Sequence, residues 1–213
     1  MSDFFTARVE GYDAHMLKNV GGCKEGYKKL ATFIPRNTVK LLDLGCGTGL
    51  ELDEIFKVLP GVEVTGIDLT KAMLDKLKEK HPDKALKLIH GSYFECDLGI
   101  EQYDIAISFQ TMHHFSHEDK IQIYTKIYKS LKMGGQYIEC DYMVELQEEE
   151  DYWYSANAKV REELHIPAGA FYHYDTPCTV SNQKKLFQLA GFSQVKEVWR
   201  KENTTIVIGK KQK

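Results

Sequence analysis

Residues 41–55 read LLDLGCGTGLELDEI. An apolar run carries an acid, Asp43, just before three glycines at alternate positions, Gly45, Gly47 and Gly49. Then Leu52, Ile55, Phe56 and Leu59 take the one-face spacing of a helix. No other stretch constrains the fold as much. Glycines let the backbone turn sharply between strand and helix and let a ligand approach closely. The helix N-terminus that follows offers free N–H groups. A dinucleotide fingerprint, G-x-G-x-x-G/A counted from Gly45, fails at Leu50. A phosphate-binding Gly-Lys-Ser/Thr loop is also absent, because no lysine follows these glycines.

The rest of the chain repeats the strand-then-helix rhythm. Strands are expected at 39–44, 62–69, in ALKLIHG, at 103–109 and in QYIECDY. Between them, Thr70 is placed to cap KAMLDKLKEK, and Ser116 to cap a helix with Ile121, Tyr124, Ile127, Tyr128 and Leu131 on its inner side. Such alternation builds a parallel, doubly wound sheet. The rhythm pauses over 143–178, rich in aromatics and acids, which reads as a part-helical insertion. A helix over 181–191, capped by Ser181 and stopped by Gly191, precedes two β-rich runs about KEN that fit a hairpin at the sheet edge. A single domain over 1–213 is expected.

Hydrophobic residues make up 43% and charged residues 28%, enough for a substantial core. The net charge of −3 and the lack of a dense Lys/Arg face argue against nucleic acid as a partner. The acidic run Glu148–Asp151 reads as a solvated helix start. No apolar run reaches the ~18–20 residues of a membrane helix. The first ten residues lack the basic start and long apolar segment of a signal peptide. Five scattered cysteines without a C-x-x-C pair read as reduced thiols, so a cytoplasmic protein without a metal site is expected.

Asp68 ends the second strand, where an acid accepts hydrogen bonds from the hydroxyls of a ribose. With that residue in hand, LLDLGCGTG, GIDLTKAML, HGSYFECD, YDIAISFQTMHHF and LKMGGQYIECD follow one another as in the class I S-adenosylmethionine (SAM)-dependent methyltransferases, which the chain resembles. The resemblance implies a Rossmann-like seven-stranded sheet, mostly parallel with the last strand antiparallel, helices on both faces, and an N-terminal lid within residues 1–35. It implies that Gly45, Cys46, Gly47, Thr48 and Gly49 line the methionine part of SAM, with Asp43 near its ammonium. Asp68 would hold the ribose, with Leu69 and Met73 against the adenine. Gly91, Ser92 and Tyr93 fall where the family has Gly-Asp-x, so Ser92 replaces the usual acid. Phe109 and Gln110 fall beside the methionine end.

SAM is a sulfonium with an electrophilic methyl, so the enzyme chiefly aligns a nucleophile and excludes water. The Asn/Asp-Pro-Pro-Tyr/Phe motif of nucleic-acid amino-methylating members is replaced here by SFQTMHHF. His113 and His114 are the candidate bases. Tyr12, with Arg8 and His15, on the N-terminal segment, and Tyr142, Trp153, Tyr154, Phe171, Tyr172, His173 and Tyr174 from the fifth strand and the insertion, are the candidate acceptor wall. The expected reaction is methyl transfer to an oxygen of a small molecule or small peptide, giving S-adenosylhomocysteine (SAH), by a monomer or homodimer. The alternatives are a SAM-modifying enzyme resembling carboxy-SAM synthase and a non-catalytic SAM-binding regulator.

Overall fold

The computed structural model describes residues 8–167, 170 and 172–212. Helices α1 (Val9–Asn19) and α2 (Cys23–Phe33) precede β1 (Lys40–Leu44), α3 (Leu50–Val58), β2 (Glu63–Asp68), α4 (Lys71–Lys80) and β3 (Leu86–His90). Then come β4 (Tyr103–Phe109), a 3-10 turn at Met112–His114, α5 (His117–Ser130) and β5 (Leu131–Val144). Helix α6 (Gln147–Glu163), β6 (Cys178–Thr179), α7 (Val180–Leu189), β7 (Ser193–Lys201) and β8 (Thr204–Lys210) complete the chain. The sheet order is β3-β2-β1-β4-β5-β8-β7. Strand β8 runs antiparallel to β5 and pairs β7 as the expected hairpin, and the inner strands are parallel. The two-residue β6 adds to the end of β5, a short strand the sequence reading lacked.

Alternation along the strands explains why both faces are covered. Leu41, Ile105, Ile107, Ile138 and Ile206 pack with α2, α3 and α4 on one face. Leu42, Leu44, Ala106, Tyr137 and Val207 pack with α5 and α7 on the other. Strands buried on both faces read as continuous apolar runs, as β1 and β4 do. The switch in strand order at β1/β4 opens a crevice at the carboxyl ends of these strands, where ligands of such folds bind.

Several local expectations need correction. Helix α7 begins at Val180, and Thr179 rather than Ser181 caps it by accepting the Asn182 N–H. Strand β5 begins at Leu131, so Gly134-Gly135 lie inside it, where the strand is irregular against β4. Thr70 stands at the start of α4 without a side-chain cap bond, whereas Ser116 does cap α5. The inner side of α5 carries Lys120, Ile123, Tyr124, Ile127 and Ser130, while Ile121 and Tyr128 sit only partly buried. In α6 the acidic start is not wholly solvated. Glu150 is buried, accepting the Thr179 N–H and the Asn182 amide. No helix among the described residues is long and apolar enough to cross a membrane.

Candidate functional site

The glycine turn leaves β1 with left-handed backbone at each glycine: φ is 71° at Gly45, 46° at Gly47 and 75° at Gly49. Gly45 is forced, because a Cβ there would come within 2.7 Å of Thr111 Oγ1. Gly47 is different. The nearest side-chain atom to a Cβ there would be Tyr12 Cε1, at 3.9 Å. A Cβ there would just touch Tyr12, so the missing side chain keeps the gap between the turn and that ring clear. Asp68 fixes the turn from the neighbouring strand, accepting the N–H of Gly47 at 2.9 Å and of Thr70 at 2.8 Å. Each carboxylate oxygen has a further lone pair for a hydroxyl donor.

Asp43 is fully buried, and no N–H or O–H of the described residues reaches its carboxylate apart from a proton shared with Glu51. Burial pushes both acids up, and Glu51 reaches about 7. Two buried acids without a hydrogen-bonded cation are an environment that the ammonium of a ligand would relieve. Glu51, in the first turn of α3, was not singled out from the sequence, where it read as an ordinary acid at a helix start.

A small cleft of about 50 Å³ lies against this turn. Of the residues expected to hold a cofactor, Gly45, Gly47, Asp68, Leu69, Met73, Tyr93, Phe109 and Gln110 border it, joined by Thr111. Cys46, Thr48 and Gly49 belong to the turn but turn away. Cys46 is in the core, Thr48 donates to Asp13, and Gly49 backs onto Leu77. Gly91 and Ser92 do not border the cleft, and Ser92 Oγ instead accepts the Phe94 N–H. The donor set fits SAM, and Tyr12 borders the cleft opposite Gly47. The free space of about 50 Å³ is too small for a nucleoside, so the lining, Tyr12 included, must move for one to enter. Tyr12 sits on α1, whose one buried residue is Met16, whereas α2 buries Cys23, Gly26, Tyr27, Leu30 and Ala31. Only α1 therefore has the loose packing of a cover, and α2 is part of the core.

A second cavity of about 870 Å³ adjoins the first and shares Tyr12, Gln110 and His114 with it. His15, His113, Tyr142 and His173 line it, and so do Asp175 and the hairpin residues Glu202–Thr204. Tyr172 and Tyr174 do not, and Tyr174 instead meets Trp153 edge to face. Phe171 lies outside the described residues.

His113 is buried, with Nδ1 against the Asp141 carboxylate and Nε2 3.5 Å from Asp175. Burial alone would lower it, but the two carboxylates raise it to about 9. His114 is pushed down to about 4 by burial and by the neighbouring His113. Asp141 and Asp175 were missed in the sequence. Both lie far along the chain from the His pair, and only strand pairing and the fold of the insertion bring them there.

Comparison with known proteins agrees with this architecture. Residues 41–135 match the family model described as a methyltransferase domain. The chain is 30% identical over 135 residues to a malonyl-[acyl-carrier protein] O-methyltransferase of Priestia megaterium, covering 62% of this chain and 47% of that protein. It is 28% identical over 106 residues to a carboxy-S-adenosyl-L-methionine synthase of Campylobacter lari, covering 50% of this chain and 45% of the relative. The chain thus spans about half the length of these curated relatives. Human N-acetylserotonin methyltransferase in complex with SAM superimposes with a TM-score of 0.68 at 18% identity, over 99% of this chain and 55% of that one. The glycine turn, the acid ending β2, the strand order with its antiparallel β8 and the matched domain agree: the chain has the fold of the class I SAM-dependent methyltransferases, and residues 41–135 match a methyltransferase domain.

Proposed function

We propose that the chain transfers the methyl group of SAM to an oxygen, hydroxyl or carboxylate, of a small-molecule or small-peptide acceptor. The observation that carries this reading is the junction of the two cavities at Tyr12, Gln110 and His114. A cofactor held by the glycine turn and Asp68 has its reactive end at that junction, and an acceptor in the larger cavity meets it there. SAM, when bound, supplies an electrophilic methyl. The chain's own residues orient the acceptor and exclude water. A cavity of about 870 Å³ suits a small molecule or a short peptide arm rather than a folded partner. The net charge of −3 speaks against nucleic acid, and the free cysteines fit a reducing, cytoplasmic setting. Likeness to an enzyme named as an O-methyltransferase supports oxygen as the acceptor atom.

The test is incubation with methyl-labelled SAM and a panel of small hydroxy, carboxy, amino and thiol compounds, followed by mass spectrometry of the products. Methyl ethers or esters with stoichiometric SAH are expected. Label appearing only on nitrogen or sulfur acceptors would overturn the oxygen assignment. Failure of both SAM and SAH to bind in calorimetry would overturn the cofactor. Likeness to the carboxy-SAM synthase motivates a second reading, modification of SAM itself. A heavier, carboxylated cofactor carried through purification would favour it.

A further inference from the structure

The larger cavity holds a donor cluster for which methyl transfer alone has no need. We propose that His113, His114 and Asp175 bind a divalent transition-metal ion, of which Zn²⁺ is the type, with its open positions facing the cavity. His113 Nε2 lies 3.5 Å and His114 Nδ1 3.3 Å from the same oxygen, Asp175 Oδ1. All three donor atoms lie within 4.8 Å of one another. A tetrahedral ion with bonds of about 2.0–2.1 Å holds neighbouring donors about 3.3 Å apart. The two measured separations are therefore edges of such a site. Two imidazoles and one carboxylate suit Zn²⁺, Fe²⁺ or Co²⁺, not the all-oxygen preference of Mg²⁺ or Ca²⁺.

The surroundings fix these donors in place. His113 turns Nε2 toward Asp175 because the Asp141 carboxylate engages Nδ1, the outer partner usual for a metal-bound imidazole. Asp141 is itself buried, and it also accepts the N–H groups of Met112 at 2.7 Å and His113 at 3.2 Å. That pins the 3-10 turn carrying both histidines. Thr176 brings Asp175 to them, its N–H and hydroxyl donating to the His113 carbonyl at 2.7 and 3.0 Å. His114 Nδ1 is buried and makes no hydrogen bond, being poorly aligned with Asp175 despite the short distance. A ligand bond would satisfy that orphaned atom.

A second trio, His117, Glu150 and Cys178, also has donor atoms within 4.8 Å of one another. It also has a buried imidazole nitrogen without a hydrogen bond, His117 Nε2, but it differs in charge balance and access. The Lys120 ammonium donates to Cys178 Sγ at 3.1 Å, and Glu150 is taken up by His117, Thr179 and Asn182. Its charge is balanced by the protein, and none of its members lines the large cavity. The site at Asp175 is open to acceptors. An ion there would bind an acceptor oxygen and lower the pKa of a hydroxyl. That use rests on the oxygen-acceptor reading, whereas the binding of the ion does not.

The experiment is titration of chelator-stripped protein with Zn²⁺ and Co²⁺ in the absence of cofactor and acceptor. One equivalent is expected, with the visible absorption of tetrahedral Co²⁺. Asp175→Ala and His114→Gln should each weaken binding about 100-fold or more. Asp175→Ala, on a half-exposed residue, should keep the far-ultraviolet circular dichroism of the parent. Absence of binding, or unchanged binding in Asp175→Ala, overturns the proposal. So does a Co²⁺-thiolate charge-transfer band that disappears in Cys178→Ser, because it assigns the ion to the other trio. SAH calorimetry on the same metal-free samples reports the cofactor site separately, so failure of the metal site and failure of the methyltransferase reading give different results.

Discussion

The Asp68 carboxylate accepts the backbone N–H of Gly47 at 2.9 Å, so the acid that ends β2 holds the middle of the turn that follows β1. Removing it leaves this N–H and that of Thr70 without a partner. Hydrogen bonds to a charged group contribute about 1.5–3 kcal/mol each. Asp68→Ala is expected to weaken SAH binding at least ~10-fold in calorimetry. It should also lower the Tm by several degrees, whereas Asp68→Asn, which keeps one acceptor, should do less of both.

Gly47 combines a φ of 46° with a gap toward Tyr12 that a Cβ alone would already close to van der Waals contact. A side chain there is strained by about 1–2 kcal/mol and also fills that space. Gly47→Val should therefore abolish SAH binding while the protein still melts cooperatively, at a modestly lower temperature. Unimpaired binding in Gly47→Val would show that the cofactor does not use the space above the turn.

Tyr12 closes the cleft at the turn from α1, a helix with one buried residue. Few buried apolar contacts mean a low free energy of local opening. Amides of α1 are expected to exchange faster than those of α2 in the free protein and to slow by tenfold or more when SAH is added. Hydrogen exchange with mass spectrometry reads this directly. Equal protection of both helices, unchanged by SAH, would argue against α1 as a cover.

Glu51 is raised from 4.5 to about 7 by burial, and it shares its site with Asp43. The folded protein then holds a proton that the unfolded chain has released above about pH 4.5. The associated stability is complete below pH 4.5, declines as pH rises through 7 and is gone above it. Glu51→Gln removes the part of this dependence that Glu51 carries, while buried Asp43 keeps its own. The variant's stability relative to the parent should rise between about pH 5 and 8 by on the order of 3 kcal/mol in denaturant melts. Stabilisation of the parent by SAH, which brings an ammonium, should grow over the same interval.

Lys120 is buried on the inner side of α5, donating to Cys178 Sγ at 3.1 Å and Gln183 Oε1 at 3.3 Å. Burial favours its neutral form, but Cys178, Glu139 and Asp141 together keep it charged. Lys120→Met leaves those acidic groups without their cation and should destabilise the protein by about 3–5 kcal/mol. Denaturant melts of Lys120→Met and of the Lys120→Met, Cys178→Ser double variant would measure the coupling.

The glycine turn, Asp68 and the strand–helix rhythm were legible because each obeys a local rule: backbone freedom at φ above zero, strand-end position, and hydrophobic period. Glu51 and Lys120 were not. A buried charge on a helix looks in sequence like any solvated one, and its partners Asp43, Cys178 and Glu139 come from other elements. Tyr172 and Tyr174 do not line the cavity, and aromatic composition in an insertion does not say which rings do.

Sequence by itself determined the class of fold and the cofactor turn, since both depend on short-range pattern and on glycine backbone geometry within a few residues. Tertiary structure decided the rest of the site. Register and strand order carry Asp141 of β5 to His113, and Thr176 ties Asp175 to the same turn. These groups are 28 and 62 residues or so apart from the histidines along the chain, and only closure of the sheet and docking of the insertion against it bring their charges within hydrogen-bonding range.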